Sequence, residues 1–196
     1  MSDDNPLISN IKPIIPKDHP FDPSAFSLSF LRILRMNWSK VLKKNLAINE
    51  SSTEASFLGE FFDGLSSPCL LIPANDSLGK PQSVYFHLSN QLGTNLIDLS
   101  LGGTNKYGQT EERSEWQNFD LKVIESYIPA LFDSLNSGLK PFLKKNIILA
   151  QVPIQTNSQL IKSANLKEIV FLLDWEVNVD GISGKFCLCL GSGFFG

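Results

Sequence analysis

Histidine is almost missing from this chain, with His19 and His87 the only two, and cysteine is sparse at three. Closed metal centres draw about four such ligands at short spacings. Cys187-Leu188-Cys189 supplies half of one, but both histidines lie far off in sequence and Cys69 has no partner at ligand spacing. The structural role is therefore expected, with both sulfurs on one face of a strand. An odd number of cysteines, all within apolar runs, argues against a disulfide framework and for reduced, buried thiols. Excess positive charge is lacking too: the net charge is −3, so no broad basic face exists for a phosphate backbone and nucleic acid is excluded as a partner. Apolar runs such as Ile169 to Leu173 fall far short of the ~20 residues that span a bilayer. Ser2-Asp3-Asp4-Asn5-Pro6 is acidic where a signal peptide carries positive charge. A cytoplasmic location is expected.

Catalytic signatures are absent as well. Gly102-Gly103 lacks the further glycine, the lysine and the flanking strand of a nucleotide-binding loop. There is no nucleophile elbow, and Glu111, Glu112 and Glu115 share a polar loop rather than pairing on a buried surface. His87 lies inside a strand-like run and is expected to be a satisfied or half-exposed sheet residue. No catalytic set, metal or cofactor is predicted.

What the chain does have is an apolar content of 42%, enough for a sizeable core, arranged in two similar series. In the first, Phe57, Leu58, Phe61, Phe62 and Leu65 recur at helical spacing before short apolar runs at Cys69 to Ile72 and Val84 to Leu88. In the second, Leu121, Ile124, Tyr127, Ile128, Leu131, Phe132 and Leu135 precede strand-like runs at Ile147 to Val152, Ile169 to Val179 and Lys185 to Leu190. Two copies do not make a solenoid. They predict an α/β chain of the α+β type, duplicated into pseudo-symmetric halves that share one sheet.

Local signals mark the boundaries. Residues 1–23 hold Pro6, Pro13, Pro16, Pro20 and Pro23 and read as an extended arm. Asp22-Pro23-Ser24 starts a helix carrying Phe30, Ile33, Leu34, Trp38, Val41 and Leu42. Lys40, Lys43 and Lys44 crowd its end, where cations complement the helix dipole, with phosphate binding as the other reading. Ser51-Ser52-Thr53-Glu54 offers caps to a following helix, and Ser66-Ser67-Pro68 stops it. Asn75 to Pro81 is a hairpin connection. Ser89 caps a helix with Leu92, Leu96 and Leu99 inside, which Gly102 ends in a left-handed conformation. Gly103 to Gln109 should be exposed. Pro129 should bend the next helix near Glu125, and Asn136-Ser137-Gly138 with Lys140-Pro141 should end it. Asp180-Gly181 is the clearest hairpin turn. Residues 191–196 form an apolar tail.

Several of these segments, taken in order, resemble a known family. Thr156-Asn157-Ser158-Gln159-Leu160 is similar to T-N-P-Q-F, Trp175-Glu176-Val177 closes an apolar strand as F-E-V does, and Ser183-Gly184 with Leu188-Cys189 resembles S-G-x-x-x-L-C-I. Leu96 to Gly103 is similar to L-x-D-x-L-F-G-G, and Phe57 to Phe61 to an early F-x-E-F-L region. These are segments of the middle domain of the flagellar motor switch protein FliM, and the resemblance covers roughly residues 24–190. It implies a CheC-like fold with a central, mostly antiparallel sheet flanked by long helices. It also implies a scaffold without enzymatic activity, packed beside copies of itself at the flagellar basal body, contacting FliG through Gly102, Gly103, Thr104 and Asn105. Asn105 stands where the family loop has a second-position glycine after the pair. FliN and phosphorylated CheY are further implied partners. The acidic amphipathic peptide that captures CheY has no counterpart before Pro23, and the FliN-like domain is expected to be missing after Gly196. The alternatives are a CheC-like phosphatase, whose helices carry a glutamate three residues before an asparagine, and a type III secretion sorting-platform component. Glu60 with Asp63 and Glu125 with Ile128 lack the amide that the phosphatase would need.

Overall fold

A computed structural model describes residues 13, 16, 18–103, 113–143, 147–157, 165–179 and 181–195. Its elements run α1 (Pro23–Leu42), β1 (Leu46–Phe57), α2 (Leu58–Asp63), β2 (Leu70–Asp76), β3 (Pro81–Leu88), α3 (Asn90–Ser100), α4 (Asn118–Glu125), α5 (Ile128–Leu139), β4 (Leu149–Gln151), β5 (Ile169–Val179) and β6 (Ile182–Gly191). Short 3-10 turns follow at Lys140–Phe142 and Ser192–Phe195. The strands form one antiparallel sheet in the order β1-β5-β6-β3-β2-β4. The α+β class with a shared antiparallel sheet is as expected.

Strand order makes the duplication concrete. The hairpins β2–β3 and β5–β6 meet at the β3–β6 ladder, and each flanking strand pairs across the halves: β1 with β5, β4 with β2. The strand before each hairpin therefore lies beside the other hairpin. Its preceding helix is α1 in the first half and α5 in the second, so α1 is the counterpart of α5. The amphipathic Phe57–Leu65 series expected in that role yields only the single-turn-and-a-half α2, on the other face of the sheet.

Alternation along the strands separates two apolar layers. Phe86 and Leu88 of β3, Phe171, Leu173, Trp175 and Val177 of β5, and Phe186 and Leu188 of β6 face α1, α3 and α5 in the larger core. Leu71, Tyr85, Val170, Cys187 and Cys189 face the opposite way, under Leu58, Phe61 and Phe62 of α2. Cys187 and Cys189 thus do share a face, and the three cysteines are buried and form no disulfide.

Several local signals act as read. Asp22 accepts from the Ser24 and Ala25 backbone N–H groups at 3.0 and 3.1 Å, with Pro23 in the first helical position. Pro129, which has no N–H to give the Glu125 carbonyl, coincides with the break between α4 and α5. Val179 and Ile182 pair across the expected hairpin turn, where Gly181 has φ +84°. Other readings are corrected. Ser51-Ser52-Thr53-Glu54 caps no helix: these residues extend β1, laddered to β5, because an edge strand tolerates polar side chains along its outer faces. Gly138 does not end α5, which runs to Leu139. A side chain there would stand 3.1 Å from the Phe26 ring and 3.3 Å from Phe30 Cβ, so glycine lets α1 and α5 close together. The strand expected over Ile147 to Val152 shortens to Leu149–Gln151, held by Asn136, whose amide bonds both backbone groups of Leu149 at 2.8 and 2.9 Å.

Packing extends beyond residues 24–190 at both ends. Phe21 stacks on Phe195 with ring centroids 4.2 Å apart, and both meet Phe171 edge-on. His19 joins this aromatic clasp at 5.0 Å from Phe171.

At the centre of the larger core Trp175 is fully buried and donates its indole N–H to Ser27 Oγ at 2.9 Å, tying β5 to α1. Ser27→Ala strands that donor, and urea unfolding should register a loss of about 1–3 kcal/mol. On the opposite face His87 sits in a row between Leu71 and Cys187, with Asp174 beyond the thiol. Burial pushes its pKa down to about 4 from 6.5 despite the pull of Asp174. The unfolded chain therefore binds the extra proton first on acidification. The stabilisation is complete above pH 6.5 and is lost as the pH falls through 4, so wild type should lose up to about 3 kcal/mol more than His87→Gln between pH 7 and 4.

Candidate functional site

Helix α3 begins where Ser89 Oγ accepts from the Leu92 N–H at 3.1 Å and also from the Lys185 N–H of β6 at 3.1 Å. Its inward side buries Leu92, Leu96, Ile97 and Leu99, and Asn95 donates to the Ser183 carbonyl at 3.0 Å. One face is thus fixed to the β5–β6 hairpin. The far end is fixed by Ser100 Oγ and Tyr127 Oη, 2.5 Å apart, at the α4–α5 break.

Termination follows the expected glycine logic in full. Gly102 adopts φ +81°. Its N–H reaches the Leu99 carbonyl at 3.2 Å, and that of Gly103 the Asp98 carbonyl at 2.9 Å, the paired bonds of a Schellman cap. The turn is presented to solvent: Leu101 is 62% exposed and none of the described residues lies within 4 Å of where a Gly102 side chain would begin. Gly103 is different. A Cβ built on it would fall onto the Asp98 carboxylate, which occupies that place. Gly102 and Gly103 are therefore brought together on one exposed turn, whereas Thr104 and Asn105 lie outside the described residues.

After residue 112 the described chain resumes at the opposite end of α3. Asn90 accepts from the Arg113 N–H at 3.1 Å and donates to its carbonyl at 2.8 Å. Arg113 pairs with the buried Asp120 carboxylate at 2.8 Å and lies over the Trp116 ring, 5.8 Å from its centroid. Gly103 and Arg113 are thus each held to α3, one at each of its ends. Neither Asp98 nor this second mooring was among the expected site residues. The available signal was an acid in the last turn of a helix, where cations are favoured.

Other candidates carry less. Among the described residues no three His, Cys, Asp or Glu side chains group to hold a metal. Burial raises the Cys187 thiol, helped by Asp174, and burial raises that of Cys189, helped by Glu168, which suits packing and opposes thiolate chemistry. Lys43 stands just past α1 in a left-handed conformation and, with Ser39, Lys44 and Asn45, lines an open depression of about 460 Å³. Glu60 is occupied as a cap: Ser56 Oγ donates to it at 2.6 Å, and this bond, with the Phe57 N–H, lowers its pKa. Glu125 pairs with Lys122 at 2.7 Å. On α5, the true counterpart of α1, Asp133 does precede Asn136 by three residues, but that amide is committed to Leu149.

No helix of the described residues is long and apolar enough to cross a membrane. No curated protein matches the chain. Solved structures do. The FliM middle domain from Vibrio alginolyticus has a TM-score of 0.72 at 15% identity, covering 87% of this chain and 94% of that one. FliM in the FliG–FliM complex from H. pylori reaches 0.76 at 16%, covering 90% and 94%. Thermotoga maritima FliY reaches 0.72 at 14%, covering 93% and 94%. At these identities the likeness is one of fold, with the same six-stranded sheet and helices. The family model for the flagellar motor switch protein FliM matches residues 24–193, and the chain belongs to that family.

Proposed function

We propose that this protein is a scaffold of the flagellar switch, packed beside copies of itself, and that it contacts a FliG-type rotor protein through the turn ending α3. The observation that carries this reading is the presentation of Leu101, Gly102 and Gly103 on a rigid Schellman cap, an exposed apolar side chain next to backbone that a partner can approach closely. Support comes from the FliG–FliM complex of a relative with the same fold. Thr104 and Asn105 extend the proposed contact. The cap is held at three points, by its own backbone bonds, by Tyr127 and by Asn95, so it offers a preformed surface at small ordering cost.

Coupling of chemotactic signal to rotation belongs to the same proposal, with binding of FliN and phosphorylated CheY by this chain weak or absent. Residues 1–12, where a CheY-capturing peptide would stand, lie outside the described residues. A non-enzymatic role accords with Asp63 and Ile128, not asparagine, three residues after Glu60 and Glu125, and with the bonds of the Asn136 amide to Leu149. Purified protein should therefore leave the decay rate of phosphorylated CheY unchanged, as followed by fluorescence or radiolabel; an acceleration abolished by Glu60→Ala or Glu125→Ala would restore the phosphatase alternative.

Affinity for the cognate FliG, measured by calorimetry, tests the contact itself. Leu101→Ser and Gly103→Val should each weaken binding at least about tenfold, roughly 1.4 kcal/mol, while the thermal midpoint moves little. Gly102→Ala should cost about 1 kcal/mol of stability as well, because its left-handed conformation penalises a Cβ. Unchanged affinity for Leu101→Ser and Gly103→Val would move the rotor contact elsewhere.

A further inference from the structure

Asp98 is out of place by elementary electrostatics. It lies in the last turn of α3, where the unsatisfied carbonyls concentrate negative potential and cations are favoured. Its carboxylate is nonetheless turned toward the glycine pair, and it fills the volume in which any side chain at position 103 would begin. Gly102 faces open space and is glycine for its dihedral angle, φ +81°. Gly103 has no such backbone requirement, and the atoms nearest to where its side chain would begin are those of the carboxylate five residues earlier. The two glycines therefore answer to different causes.

We infer that Asp98 is the positioning residue of the exposed turn, its carboxylate packed against the Cα of Gly103 and fixing the direction in which the chain leaves α3. Any side chain at 103 has to displace that carboxylate. The backbone of the same two residues is already joined, Gly103 N–H to Asp98 carbonyl at 2.9 Å, so the side chain adds a second restraint at a point the first has brought close. The inference rests on the reading of this turn as the rotor contact, and it adds the residue that holds the turn in shape. Asp98 acts through Gly103 and need not touch the partner.

A double-mutant cycle on the full chain tests it, with Asp98→Ala, Gly103→Ala and the pair, read by amide hydrogen exchange over residues 99–105 in the free protein and by affinity for the cognate FliG. Gly103→Ala alone should displace the carboxylate, speed exchange in this stretch about tenfold and weaken FliG binding by a similar factor. In the Asp98→Ala background the same Gly103→Ala change should alter either readout less than twofold. Asp98→Asn, which keeps the shape, should retain the sensitivity to Gly103→Ala. Equal effects of Gly103→Ala in both backgrounds overturn the inference, since position 103 would then answer to something other than Asp98. Coupling in exchange with no change in FliG affinity upholds the positioning role and moves the rotor contact elsewhere. Loss of FliG affinity with no coupling keeps the contact and removes Asp98 from it.

Discussion

The β3–β6 ladder, from Val84 opposite Leu190 to Leu88 opposite Phe186, is the seam on which the rest of the molecule depends. It is the one place where the two central hairpins meet, and each alone is a two-stranded ribbon of marginal stability. Joining them creates a surface wide enough to carry α1 and α5 on one side and α2 on the other. The crossed placement of β1 beside β5 and β4 beside β2 then locks the halves, because neither can withdraw without surrendering a strand. Trp175 stands over this seam with Phe30 and Phe186 against it, at ring distances of 5.1 and 4.8 Å. Its bond to Ser27 turns the non-directional packing of α1 into a defined seating.

Much of this was legible because local chemistry and tertiary demand agreed. Asp22 and Ser89 cap helices, Gly102 ends one, Pro129 breaks one, and the cysteine pair lies on one strand face, each for a reason contained within a few residues. The readings that moved are those in which a distant partner decides. Leu46 to Phe57 has too polar a middle to announce a strand, and becomes one by pairing with β5 more than a hundred residues later. Gly138 looks like a helix stop and is a contact with Phe26 and Phe30, which only the fold brings near. The duplication is visible, but the Phe57–Leu65 series lies one helix past the true counterpart, because β1 intervenes and its periodicity does not reveal it.

At the site the same division holds. The cap of α3 is written into Leu99 to Gly103, while the carboxylate that crowds the second glycine lies five residues back at Asp98 and the second mooring is the Asn90–Arg113 pair. The exposed turn is stiffened from the sheet through Ser89 and Asn95, and from the α4–α5 break through Tyr127. Movement of the β5–β6 hairpin would thus be carried to the exposed glycines as a rigid displacement of α3.

The aromatic clasp between Phe21 and Phe195 has a mechanical corollary. Tension applied between the chain before His19 and the chain after Phe195 enters and leaves the domain at one spot. The load falls first on a stacked ring pair, a contact of about 1 kcal/mol beyond its buried area, which can be peeled apart one ring at a time. The hydrogen bonds of the sheet would be loaded only afterwards. The clasp would therefore yield before the sheet and the turn at the end of α3 lose their geometry.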